Sequence, residues 1–380
     1  MRELGLDEAF PRIAGIVADV RARGDAALLD WSAELDGERP ASLRVPAEEL
    51  EASRLDDRSL RAVRALADAV ERVHAAQRPA DTAVSPIPGV VVERRFRPLD
   101  SVGIYVPGGR APLASSLVMA AVPARVAGVR RIAVVAPRPQ PAVLATAREL
   151  GIDEVYAVGG AQAIAALAYG TETIPAVDKI VGPGSRWVTA AKLLVSGAVA
   201  IDLPAGPSEV LVIADESADP GQCAADLLAQ AEHGPDSEAI LVTASGALAG
   251  EVAALVDGRA RIELVETLAQ AIDRANAYAP EHLELLVADP EAAAAEVRNA
   301  GSIFLGTTAV LGDYAAGANH VLPTGGLARG AGGLGLEAFL KPVQYVRATA
   351  EGLAAARETV EALAALEGLP LHAASVAARR

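Results

Sequence analysis

Four of the five histidines in this chain sit inside short polar motifs, and each of those motifs also carries a carboxylate or an amide. The motifs are QAEHGP (Gln230 to Pro235), APEHLEL (Ala279 to Leu285), GDYAAGANHVLPTGG (Gly312 to Gly326) and EGLPLH (Glu367 to His372). Imidazole titrates near neutral pH and is the commonest protein metal ligand, so the motifs point to acid–base or metal chemistry. Gln230 and His233 lie three residues apart at the end of an expected helix, which puts an amide oxygen and an imidazole nitrogen on one face. Such a pair can hold a divalent metal. The alternative is a polar helix end whose histidine meets the last carbonyls. Asp313 offers a carboxylate ligand or a turn former, and His320 a ligating or hydrogen-bonding imidazole. Glu281 and His282 set a carboxylate beside a base, a pair suited to moving protons at successive steps; a capped, solvated turn is the competing reading. By residue type alone, Glu367 and His372 read as solvated groups on a C-terminal tail. His74 has no polar cluster around it and reads as a histidine on an exposed helix surface.

The pattern along the chain supplies elements to carry these groups. The first part has apolar residues at helical spacing, in DEAFPRIAGIVADVRARGDAALLDWSAEL and again in LRAVRALADAVERVHAAQRP, which stops at Pro79. From VGIYV onward, short apolar runs ending in Gly or Pro alternate with helical stretches. A second alternating set runs from EVLVIAD to SIFLG. Strand and helix in turn argue for parallel sheets, and two α/β units in series are the simplest parse. Asp219 as N-cap, Pro220 in the first turn and Gly234-Pro235 as a stop bound the helix that bears Gln230. The Gly-rich loop bearing Asp313 and His320 follows a strand, the place where open α/β sheets form ligand crevices. Three strand-to-helix turns, VPGGRAPLASS, GGAQAIAAL and GPGSRWVTAAK, can present backbone amides to a phosphate. None is a G-x-G-x-x-G fingerprint, and ordinary βα turns use glycine in the same way.

Composition narrows the function classes. The 380 residues suffice for two or three compact cores, built mainly of Ala, Val, Leu and Ile because hydrophobic residues make up 52% and aromatics only 3%. A net charge of −15 argues against nucleic acid or an anionic membrane as partner. The single Cys223 excludes an intramolecular disulfide framework and reads as a small buried helix residue. No basic-then-apolar leader and no long apolar span is visible, so a cytoplasmic protein is expected.

Taken together and in order, the motifs resemble the histidinol dehydrogenase family. The resemblance runs through almost the whole chain, in VRARGDAALLDWSAELDG, VGIYVPGGRAPLASSLVMAAVPARVAGV, VGGAQAIAALAYGTETIPAVDKIVGPG, IDLPAGPSEVLVIAD, DLLAQAEHGPDSEAILVT, YAPEHLEL, GDYAAGANHVLPTGGLARG and EGLPLHAASV. It implies an α/β fold of two Rossmann-like parallel-sheet units, one inserted in the other, with a helical N-terminal region. Residues 1–104 plus 210–334 would form the first unit and 105–209 the inserted, NAD-binding one. A small C-terminal domain, 335–380, would be exchanged across a homodimer. The resemblance further implies one zinc ion per subunit on Gln230, His233 and Asp313, with His372 as a fourth ligand supplied across the dimer. It makes Glu281 and His282 the catalytic pair, Ser208, His320 and Glu367 substrate contacts, and Tyr105, Gln162 and Ser185 NAD contacts. The implied reaction is oxidation of L-histidinol to L-histidine through L-histidinal with two NAD.

The chain departs from the family pattern at three positions. Ser185 stands where the family's GPGN string has Asn, and Gly332 and Gly335 stand where the family has serines. These changes leave room for a related dehydrogenase acting on another small polar alcohol. A zinc hydrolase using Glu281 as base is disfavoured by the lack of HExxH. A catalytically dead metal-binding scaffold is disfavoured by the complete set of acid, base and ligand types.

Overall fold

The computed structural model describes residue 6, residues 8–108 and residues 113–379. The chain opens with four helices: α1 (Phe10–Arg23), α2 (Asp25–Leu35), α3 (Ala47–Ala52) and α4 (Asp57–Ala76). Strands β1 (Thr82–Ile87) and β2 (Val90–Pro98) follow. A first α/β unit then runs β3 (Ser101–Tyr105), α5 (Ala114–Ala127), β4 (Arg131–Val135), α6 (Pro141–Glu149), β5 (Glu154–Tyr156), α7 (Gly160–Tyr169), β6 (Lys179–Val181), α8 (Arg186–Val195) and β7 (Ala200–Ile201). A second runs β8 (Glu209–Ala214), α9 (Pro220–Ala231), β9 (Glu238–Thr243), α10 (Gly246–Val256), β10 (Arg261–Leu264), α11 (Leu268–Tyr278), β11 (His282–Leu286), α12 (Pro290–Ala295), β12 (Ser302–Leu305) and the short α13 (Val310–Tyr314). The chain closes with β13 (Leu340–Ala348), α14 (Ala350–Leu366) and α15 (Pro370–Ala377).

The two α/β units form two five-stranded parallel sheets, in the orders β5-β4-β3-β6-β7 and β10-β9-β8-β11-β12. Each order reverses once, between β3 and β6 in the first sheet and between β8 and β11 in the second. Every residue of β8 is buried, as expected of a central strand covered on both faces. Small side chains let helices sit close to these sheets. Gly103 in β3 is one such place, since a Cβ there would lie 2.8 Å from the Leu167 side chain of α7. Expected parallel α/β architecture and observed architecture agree. Cys223 is fully buried on α9 as expected, and burial pushes its thiol up to about 11.

The N-terminal helices go with the first sheet: Ile13, Ile16 and Val20 of α1 share a core with Ala163, Ile164 and Val188 of α7 and α8. The first sheet itself begins at Ser101, ahead of residue 105. A third sheet joins distant chain segments, with β13 pairing antiparallel to β2 from Leu340↔Pro98 to Ala348↔Val90, and β1 on the other side of β2. The C-terminal piece is thus anchored on residues 82–98 before α14 and α15 leave it.

His74 corrects the expectation of an exposed histidine. It is fully buried, with Nδ1 2.8 Å from the Val70 carbonyl and Nε2 3.4 Å from the Leu334 carbonyl. The reason is helical period: Leu66, Val70 and His74 recur every four residues on the buried face of α4. No helix among the described residues is long and apolar enough to cross a membrane.

Candidate functional site

Helix α9 starts as its sequence dictates. Asp219 caps it by accepting from the Gln222 N–H at 2.9 Å, and Pro220 fills the first turn. The helix runs back alongside β8, so its end returns to the amino edge of the second sheet. There Gln230 is buried, its Oε1 3.4 Å from the Ser208 hydroxyl and its Nε2 without a partner among the described residues. His233 follows on the exposed side, with Nδ1 3.1 Å from the Gln230 carbonyl. A carbonyl only accepts, so Nδ1 carries the proton and Nε2 keeps its lone pair for a ligand.

Ser208 precedes β8 and Glu281 precedes β11, and these neighbouring parallel strands bring the two together. Glu281 Oε2 accepts from the Ser208 hydroxyl and from the Glu209 N–H, both at 2.8 Å. The adjacent His282, the first residue of β11, places Nδ1 3.2 Å from the Glu209 carbonyl and 3.5 Å from Glu281 Oε2. Its Nε2 lies 3.8 Å from Asp313 Oδ1. Burial disfavours the charged ring, but the Glu281 side chain and the Asp313 carboxylate outweigh it and push the His282 pKa up to about 9. Glu281 and His282 therefore face one site, because the pair straddles the start of the strand instead of lying within it.

Asp313 belongs to the one-turn helix α13, not to an open Gly-rich loop. His320 Nδ1 is 3.7 Å from Asp313 Oδ1, and its Nε2 is 3.4 Å from the Ser116 hydroxyl on α5 of the first unit. Burial pulls the His320 pKa down more than the Asp313 carboxylate raises it.

A cavity of about 620 Å³ opens here, lined by Gln230, His233, His282 and Asp313, with Pro107 and Leu113 of the first unit facing them. It lies at the amino ends of β8 and β11, opposite to the carboxyl-end crevice expected of an open α/β sheet. The reason is local: Ser208, Glu281 and His282 precede or open these two strands and Gln230 and His233 close the helix antiparallel to them, while α13 after β12 brings Asp313 to the same place.

Glu284 and Asp226 also line the cavity, and residue type alone did not single them out. The available signals were two: Glu284 interrupts the apolar run of β11, and Asp226 lies one turn before Gln230 on α9. Glu284 accepts from the Ala309 N–H at 2.6 Å. Burial, then the neighbouring Asp226 carboxylate, pushes its pKa up to about 8. A carboxyl raised in the fold keeps its proton longer than in the unfolded chain. Its contribution to stability is complete below the unfolded value of 4.5 and is lost as pH rises through about 8. Glu284→Gln is therefore expected to flatten the decline of unfolding free energy between pH 5 and pH 8.5, as read by urea denaturation. An unchanged slope would contradict this.

The remaining expected site residues lie elsewhere in the chain. Tyr105 ends β3, Gln162 sits in the first turn of α7 and Ser185 is the N-cap of α8, so all three mark the carboxyl edge of the first sheet around its β3–β6 reversal. The Tyr105 hydroxyl accepts from the Gly160 N–H at 3.2 Å, and burial pushes it up to about 12. Gln162 is fully buried with neither side-chain polar atom partnered among the described residues. Ser185 is exposed and its side chain makes no capping bond. Part of the VPGGRAPLASS turn, residues 109–112, lies outside the described residues. Glu367 ends α14 and His372 lies on α15; both are exposed and neither lines the cavity. Leu366 and Leu371 beside them are 82% and 81% exposed, an apolar surface left uncovered among the described residues. Gly332 faces open space, and a Cβ at Gly335 would lie 2.5 Å from the Glu337 carboxylate.

Gln230, His233 and Asp313 supply an amide oxygen, an imidazole and a carboxylate, a donor set suited to zinc. The buried Gln230 amide, whose Oε1 has only a long 3.4 Å contact with the Ser208 hydroxyl, and the oriented His233 ring fit that use. Among the described residues, no three His, Cys, Asp or Glu side chains are arranged to hold a metal.

A sequence model of the family described as histidinol dehydrogenase matches residues 2–380. The histidinol dehydrogenase of Thermobifida fusca is 45% identical over 408 aligned residues, covering 99% of this chain and 93% of the relative. That of Methanosarcina mazei is 44% identical, covering 100% and 93%. A crystal structure of histidinol dehydrogenase from Elizabethkingia anophelis superposes with a TM-score of 0.92 at 37% identity, covering 97% of this chain and 91% of that one.

Proposed function

Because the chain belongs to the histidinol dehydrogenase family, we propose that it oxidises L-histidinol to L-histidine through L-histidinal, reducing two NAD. The observation that carries this reading is a linked cluster: Gln230, His282 and Asp313 line one cavity that also meets the first unit, and Ser208 and Glu281 are tied to Gln230 and His282 beside it. Zinc would be held by Gln230, His233, Asp313 and His372 of the partner subunit, and when bound it supplies a fixed positive charge that orients and polarises a nitrogen-bearing alcohol. NAD supplies the hydride acceptor and fits the carboxyl edge of the first sheet, near Tyr105, Gln162 and Ser185.

The protein's own groups divide the proton work. His282 has Nδ1–H directed at the Glu209 carbonyl, which leaves Nε2 to take the substrate hydroxyl proton in the first oxidation. A cation on Asp313 offsets one of the two carboxylates that hold His282 protonated, bringing it toward the neutral form a base requires. Glu281, braced by Ser208 and the Glu209 N–H, activates water for the second oxidation. Keeping the aldehyde in the cavity between steps removes a second diffusional encounter. His320 and Glu367 complete the substrate contacts, with Glu367, like His372, reaching the site across a homodimer in the cytoplasm.

The deciding experiment is NADH formation from L-histidinol by zinc-loaded protein, with a chelated control. Two NADH per L-histidine, lost on chelation, support the proposal. Metal-bound protein inert on L-histidinol would shift the reading to another small polar alcohol, for which the departures at Ser185, Gly332 and Gly335 leave room. The shared metal site has its own test. His233→Ala and His372→Ala should each weaken metal retention by at least the roughly 10–100-fold that losing an outer-shell partner costs. Mixing the two variants should restore about a quarter of wild-type activity, because a mixed dimer holds one intact site. No recovery on mixing would place His372 outside the partner's site.

A further inference from the structure

We propose that Lys192 and Asp202 are positioning residues that fix the Gly182–Ser185 turn in the shape that binds the dinucleotide. This inference rests on the cofactor reading of that turn given above. Lys192 lies on α8 with its side chain 2% exposed, and Asp202, just past β7, has a side chain 1% exposed; the two form an ion pair. Burying two opposite charges costs more than it returns unless further hydrogen bonds are made, and apolar residues of equal volume would hold the fold as well. The pair therefore needs an account beyond stability, and its remaining bonds give one.

Lys192 Nζ donates to the Gly182 carbonyl at 3.0 Å and to the Leu203 carbonyl at 3.3 Å. Asp202 Oδ2 accepts from the Gly182 N–H at 2.7 Å. One ion pair thus grips both backbone polar groups of a single glycine, at the β3–β6 reversal where α/β sheets take ligands. That glycine is strained for any other residue: its φ is +117°, and a Cβ would lie 2.3 Å from the Tyr105 carbonyl. The grip sets the turn between the two expected cofactor contacts, Tyr105 at the end of β3 and Ser185 three residues on.

The chain beyond Leu203 is held independently. Thr189 Oγ1 donates to the Ala205 carbonyl at 2.6 Å, Thr324 Oγ1 accepts from the Gly206 N–H, and Ser208 and Glu209 are tied to Glu281. Loss of the ion pair therefore loosens the dinucleotide turn and leaves the substrate pocket in place.

The test uses full-length Lys192→Met and Asp202→Asn proteins. The expected result is a KM for NAD raised roughly tenfold or more, the scale of losing a supporting contact, with the KM for L-histidinol and the zinc content within about twofold of wild type. Folded variants with unchanged KM for NAD overturn the proposal, as does an equal loss in every parameter, which is what a merely structural role gives. If Lys192→Met does not fold, Asp202→Asn decides, because it keeps the side-chain shape while its single amide oxygen cannot accept from both Lys192 and the Gly182 N–H. Calorimetric titration with NAD separates this proposal from the functional one. Wild-type protein inert on L-histidinol, with NAD binding weakened in the variants, would sink the substrate assignment and support the turn. Wild-type protein that binds no NAD would sink both.

Discussion

Replacing His282 by Asn is expected to lower kcat for NADH formation from L-histidinol by roughly 10²–10⁴-fold, the usual worth of a positioned general base. Apart from a tilted contact with the Phe304 ring, the structural role of this ring is one that Asn can take over. Asn can still donate to the Glu209 carbonyl from near the position of Nδ1, so the amino edge of β11 keeps its bond. What disappears is the Nε2 lone pair facing the cavity beside Asp313. Zinc content should stay at the wild-type level, since His282 is not among the proposed ligands. A His282→Asn protein that loses zinc in parallel with activity would recast the ring as a metal ligand. A protein that keeps most of its kcat would remove it from the chemistry.

Glu281→Gln is expected to divide the two oxidations. The amide retains an oxygen for the Ser208 hydroxyl and the Glu209 N–H, so the buried bracing persists while the base is lost. Alcohol oxidation should be slowed modestly, and oxidation of supplied L-histidinal by roughly 10²-fold or more. In a single-turnover experiment with L-histidinol, the variant should release one NADH quickly and the second slowly. Equal slowing of both would assign Glu281 to a step common to the two oxidations, or to holding His282, whose Nδ1 lies 3.5 Å away.

Much of the site was legible in order along the chain. The cap of α9 at Asp219, the stop after His233 and the adjacency of Glu281 and His282 are local features, and local physics places them. His74 shows the limit of reading residue type without period. Its spacing from Leu66 and Val70 puts it on the buried stripe of α4, while its surroundings in sequence suggested an exposed face. Glu284 and Asp226 were missed because their contact joins a strand to a helix about 60 residues away, and neither has a telling neighbour in sequence. The partner of β13 was equally hidden: pairing with β2 spans well over two hundred residues, and antiparallel strands carry no local mark of the strand they meet.

By itself the sequence determined the residue types available for chemistry, the alternation that yields two parallel sheets, and the ends of the helix that presents Gln230 and His233. These follow from side-chain periodicity, caps and glycine or proline stops, which act over a few residues. Tertiary structure decided that the site opens at the amino edge of β8 and β11, that Glu281 is braced by Ser208 while His282 faces Asp313, and that one buried ion pair grips Gly182. Those outcomes depend on which strands become neighbours and where an antiparallel helix returns. They are set by the burial of whole faces against each other, which no short stretch of chain specifies.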